Sequence, residues 1–148
     1  MLLTLSDKEK AIWLAALIDC EGCLGTYFQA EGYLSRRIEI SNSDITLLRE
    51  VEVQLGYGRI TELQGKNKPC YHWIVSNISE IIKVLDIVEP FLIVKKRQAP
   101  ILRELCNLKL DRNTSIETKV YCAKLVQALS DLKERNGVKD NTRAISAV

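Results

Sequence analysis

The sequence has little of what marks the specialised protein classes. Three prolines and seven glycines in 148 residues, with no low-complexity tract, exclude an extended or disordered chain. No apolar run approaches the roughly 20 residues that span a bilayer. The N-terminal MLLTLSDKEK has no basic segment ahead of an apolar core. A soluble, intracellular protein is therefore expected, in the cytoplasm or an organelle interior, with no membrane partner. Histidine occurs once, as His72, so no His pair completes a zinc site begun by Cys20 and Cys23. The five cysteines (Cys20, Cys23, Cys70, Cys106 and Cys122) are odd in number and scattered, which fits reduced, small core residues better than a disulfide framework. An excess of one charge is also missing. The net +2 identifies a nucleic-acid binder only if the basic groups share a face.

What is present is strongly patterned. With 47% hydrophobic and 27% charged residues, the chain is one domain over 1–148, large enough for its own core, with a polar tail over 136–148. Ser6 followed by Glu9 is a capping box that starts a helix at about Asp7. That helix is apolar nearly all round from Ala11 to Ile18, and the small pair Ala15-Ala16 allows close approach of another helix. Gly22 and Gly25 end it, and strand composition follows over 23–30. Residues 33–41 alternate, with Leu34, Ile38 and Ile40 on one side and Ser35, Arg37, Glu39 and Ser41 on the other. A second helix over 45–55 stops at Gly56, and two more alternating strands cover 58–63 and 70–76. A helix over 78–88 ends at Pro90, and further helices span 99–110 and about 115–134.

Two helix-strand-strand units predict an α+β fold, αββαββα. It has a four-stranded antiparallel sheet, helices on one face, a concave face left open, and extra C-terminal helices. That open face carries Tyr27, Gln29, Ser35, Arg37, Glu39, Arg59, Thr61, His72 and Ile74. Two readings of it stay open: a solvated polar face, or strands whose alternate side chains reach base edges in a DNA groove. Lys139 and Arg143 in the tail either contact a nucleic-acid backbone or point to solvent.

The first helix ends unusually, on two acids and a glycine. Leu14-Ala15-Ala16-Leu17-Ile18-Asp19-Cys20-Glu21-Gly22 resembles the signature of the LAGLIDADG homing endonucleases at seven of nine positions. The departures, Ala16 and Cys20, are both small residues. The helix-strand-strand repeat agrees with that family's fold, and the resemblance covers about 6–110. It implies a site-specific double-strand DNA endonuclease, intron-encoded, that hydrolyses phosphodiesters with Mg²⁺ (or Mn²⁺) and leaves short 3′ overhangs. Carboxylates are natural hard ligands for such an ion. Because the motif occurs once, it also implies a homodimer, with Trp13, Leu14, Ala15, Ala16, Leu17 and Ile18 at the twofold seam.

Carried over by position, Glu21 is the metal-binding catalytic acid, with a main-chain carbonyl beside it at Gly22 joining the metal. Asp19 finishes the helix. Asn42 orders active-site water, in a place where glutamine is more usual, or caps the next helix. Lys95 is the active-site lysine, with Lys96 the fallback. A basic cluster over 95–97 at a helix N-terminus opposes the dipole and calls for an anionic partner. The alternatives are an RNA-splicing maturase that binds intron RNA, and an inactive DNA-binding regulator on the same scaffold. The retained Glu21 argues for cleavage.

Overall fold

The computed structural model describes residues 3–29, 33–65 and 67–136. Helix α1 (Asp7–Glu21) opens on the expected capping box. The Ser6 hydroxyl accepts the Glu9 amide proton at 3.2 Å, and the Glu9 carboxylate accepts that of Ser6 at 3.0 Å. Strands β1 (Gly22–Phe28) and β2 (Leu34–Asn42) follow, then α2 (Ile45–Leu55), β3 (Arg59–Leu63), β4 (Cys70–Val75) and α3 (Ile78–Val88). A 3₁₀ turn at Glu89–Phe91 leads to α4 (Gln98–Asn107) and α5 (Ile116–Asn136). The architecture is the expected α+β one.

The four strands form one antiparallel sheet in the order β1-β2-β4-β3, so the second strand of each unit lies at the centre. Register decides which side chains share a face, because directly paired residues point the same way. Ile38 pairs with Leu24 and Val75, and Ile40 with Trp73; all five are fully buried or nearly so beneath the helices. They meet Leu14 and Ile18 of α1, Leu48 and Val51 of α2, Ile81 and Leu85 of α3, and Leu102 of α4 in one core. A second cluster, Leu34, Leu105, Cys122 and Leu129, docks α5 against α4 and the start of β2. Burial of Cys106 pushes its thiol up to about 11, consistent with a cysteine that serves packing.

Three local features depart from the expectation. Gly25 does not end α1; it sits inside β1. The α4 pattern stops at Asn107 instead of Leu110, because the Arg36 guanidinium donates to the Leu105 and Leu108 carbonyls at 2.8 and 3.3 Å. Pro90 ends α3 but leaves a 3₁₀ turn that carries the chain onward.

Gly22 is a point of close backbone approach. Its amide donates to the Ile18 carbonyl, and a Cβ there would lie 2.7 Å from both the Ile18 Cα and its carbonyl oxygen. Only a residue without a side chain lets the strand leave the helix so closely. Gly22→Ala is expected to destabilise the protein by about 2 kcal/mol or more. A urea unfolding midpoint indistinguishable from wild type would contradict this packing.

Candidate functional site

Helix α1 delivers its two acids in different directions. Glu21, the last helical residue, is exposed beside the sheet. The Asp19 carboxylate turns toward the segment after the 3₁₀ turn, where Oδ2 accepts the Ile93 amide proton at 2.8 Å and Oδ1 that of Lys95 at 3.0 Å. This clamp sets Lys95 so that its Nζ donates to the Asp19 carbonyl at 2.9 Å. The charge expected at the start of α4 therefore rests at the C-terminus of α1, where the helix dipole favours a cation. Half-burial pulls the Lys95 pKa below the ordinary lysine value; Asp19, Cys23 and Cys20 oppose that shift and Lys133 reinforces it. Lys96 is exposed.

Lys133 was not singled out from the sequence. It comes from α5, and its Nζ donates to Cys23 Sγ at 3.5 Å across 110 residues. Helical periodicity shows that α5 has a buried side but not which strand residue each side chain meets. Asn42 is engaged locally, its side-chain oxygen accepting the Asp44 amide proton at 2.8 Å. Asp44 in turn caps α2 by accepting from Thr46 at 2.9 Å. The β2 residue that pairs with Cys23 is Glu39.

Register brings the expected surface residues together. Tyr27, Ser35, Arg37, Glu39, Arg59, Thr61, His72 and Ile74 all lie on the sheet face away from the helices. Gln29 is exposed just beyond β1, its amide donating to the Tyr33 carbonyl at 2.8 Å. Arg37 anchors the middle of this face. Its guanidinium carbon stands 3.3 Å from the Tyr27 ring centroid, and its Nε is 2.6 Å from Glu39 Oε1. That second contact is an ion pair and not a directed hydrogen bond, since neither atom finds a well-aligned partner. Glu39 Oε2 also lies 3.2 Å from His72 Nδ1, and the Ser41 hydroxyl is 3.4 Å from the same nitrogen. Burial raises the Tyr27 pKa. Two residues expected at the surface need correction. Glu39 and Ile74 are each only 8% exposed, and the Glu39 carboxylate lies against Arg37 and His72 on the same face.

The twofold seam expected along α1 also narrows. Leu14, Ala15 and Ile18 are within the chain's own core at 1% exposure or less, because a helix has a period of 3.6 residues and six consecutive positions cannot share a side. Trp13 and Leu17 flank that core, while Ala16 and Ile12 (45% exposed) face outward. Lys139 and Arg143 lie outside the described residues. Among the described residues no group of three or more His, Cys, Asp and Glu side chains is placed to hold a metal. Glu21 offers one exposed hard oxygen donor. No helix among the described residues is long and apolar enough to cross a membrane.

No protein-family model and no curated protein matches this chain. Solved structures do. The archaeal intron-encoded homing endonuclease I-Vdi141I, complexed with DNA, is 27% identical with a TM-score of 0.73, over 86% of each chain. The homing endonuclease I-CvuI, in complex with its target in the presence of Ca, is 19% identical with a TM-score of 0.73, over 85% of this chain and 83% of that one. The LAGLIDADG meganuclease I-AabMI, bound to uncleaved DNA, is 19% identical with a TM-score of 0.67, over 78% of this chain and 43% of that one.

The Asp19 clamp has a direct readout. In Asp19→Ala the two amides lose their acceptor, so hydrogen-exchange protection at Ile93 and Lys95 falls by at least about tenfold and stability by about 1–3 kcal/mol. Unchanged protection at both amides would rule the clamp out.

Proposed function

We propose, from the premise that this chain has the fold and the nine-residue motif of the LAGLIDADG homing endonucleases, that it is one subunit of a homodimeric, site-specific double-strand DNA endonuclease. The observation that carries the reading is the end of α1. There the motif's acid, Glu21, stands exposed at the end of the helix whose Asp19 carbonyl holds the Lys95 ammonium, where β1 opens a polar sheet face.

Each part of the geometry contributes to that activity. The open sheet face enters the major groove, where Tyr27, Gln29, Ser35, Arg37, Arg59, Thr61 and His72 meet base edges and phosphates. Arg37 arrives already oriented by Glu39 and Tyr27, which reduces the ordering cost of binding. The outward side of α1, with Ile12 and Ala16 and flanked by Trp13 and Leu17, packs on its copy and brings two Glu21 carboxylates to one axis. Ala16 in place of a bulkier residue lets the helix backbones approach.

A divalent cation, Mg²⁺ or Mn²⁺, held by Glu21 and the Gly22 carbonyl would supply Lewis acidity toward the phosphodiester. Lys95, fixed by the Asp19 carbonyl, donates to the phosphate and holds the attacking water on its approach. Among the described residues Asn42 is engaged through its oxygen, by the Asp44 amide, and its NH₂ is the group that orders water. Each active site cuts one strand, and the spacing of the two Glu21 residues across the minor groove produces short 3′ overhangs. The gene of such an enzyme is expected within an intron.

Two outcomes test this. Glu21→Gln keeps shape but loses metal affinity, so Mg²⁺-dependent cleavage is abolished while the DNA dissociation constant stays within about threefold and still rises steeply with salt. Loss of binding as well would make Glu21 structural. Ala16→Glu places a charge on the seam; sedimentation should then show a monomer, and a dimer that still cuts both strands would refute the α1 interface.

A further inference from the structure

Two ammonium groups are held where α1 ends and β1 begins. Lys95 reaches it from the segment before α4, held on the Asp19 carbonyl. Lys133 reaches it from α5, held on Cys23 Sγ. Cys23 lies two residues beyond Glu21 and on the open face of the sheet, paired with Glu39. The Lys133 charge lies over that same face: a Cβ built on Gly25, the next residue of β1 on that face, would be 3.7 Å from Nζ.

The contact positions Lys133 without neutralising it. A thiol is a weak acceptor, and among the described residues no carboxylate lies within ion-pair distance of Lys133. Lys133 and Lys95 act on one another as like charges, with the Asp19 carboxylate acting on Lys95 in the opposite sense. With Lys95 held on a backbone carbonyl and Lys133 on a cysteine sulfur, two ammonium groups are positioned around the end of α1 and the start of β1, an arrangement suited to an anion. A side chain at Gly25 would crowd the Tyr27 ring at 3.3 Å and lie in van der Waals contact with Cys23 and Lys133.

We propose that Lys133 belongs to the cleavage site: its ammonium, docked on Cys23, supplies with Lys95 a second positive charge for the phosphodiester being cut. This rests on the endonuclease reading above. In that hydrolysis the water oxygen forms a bond to phosphorus and gives its proton to solvent, while the bond from phosphorus to the departing sugar oxygen breaks and that oxygen gains a proton. Negative charge builds on the oxygens around phosphorus as the water adds. Lys133 stays protonated throughout and acts by electrostatic stabilisation.

The test uses the full chain, Mg²⁺ and a duplex target recovered by selection from a randomised library. Lys133→Met is expected to slow single-turnover cleavage by roughly 10- to 100-fold while the dissociation constant stays within about threefold, and Lys133→Arg to recover most of the rate. Lys133→Gln serves as a second neutral variant, with thermal melting to verify that α5 stays docked. Cleavage by Lys133→Met within twofold of wild type overturns the assignment. So does an equal loss of rate and affinity, which marks a plain backbone contact. A wild-type protein that binds duplex DNA and cuts none overturns the endonuclease reading and this inference with it.

Discussion

The Asp19 carboxylate holds the functional end of the molecule together. By accepting the amide protons of Ile93 and Lys95 it joins the last turn of α1 to a segment more than seventy residues away. Without that junction Lys95 has no reason to lie along α1, and the apolar residues of the first core would meet without placing an ammonium at the end of that helix. A backbone-directed pair of hydrogen bonds from one carboxylate fixes position more sharply than apolar packing, which tolerates sliding. Two acids separated by one residue therefore differ in engagement: Asp19 is committed to two backbone amides, and Glu21 stays exposed.

The open sheet face follows a related logic. The chain's net charge is only +2, so long-range attraction alone supports little selectivity. Arg37 is instead held between an aromatic ring and a nearly buried carboxylate, with His72 on that carboxylate's other oxygen. A side chain fixed before contact loses less rotamer entropy on binding. The acid that partly cancels its charge is what gives it direction.

Much of this was legible in the sequence, for identifiable reasons. The capping box at Ser6 and Glu9 is a local signal and placed the start of α1. Alternation in β2 and β4 fixed which residues share a face, because a period of two leaves no ambiguity once one residue is assigned. The unbroken apolar run Ala11 to Ile18 carries no such phase, so nothing local distinguished Leu14 and Ile18, which turn inward, from Ile12 and Ala16, which turn outward. Glu39 read as a surface acid because its burial depends on Arg37 and His72 arriving from two strands. Lys133 was invisible for a plainer reason: its partner is 110 residues distant, and no local pattern encodes that pairing.

Gly22 ends the helix that carries the acid and begins the strand that carries the open face. No loop lies between them, and the Ile18 backbone leaves no room for a side chain at the junction. The offset between the acid and the first strand positions is thus written in covalent geometry, about one residue's rise per step. Substitutions along the strands can alter what the face recognises while leaving the acid's place along the chain untouched. Such a molecule has its ruler and its blade cut from one piece, so that its preference can drift while its point of action stays fixed.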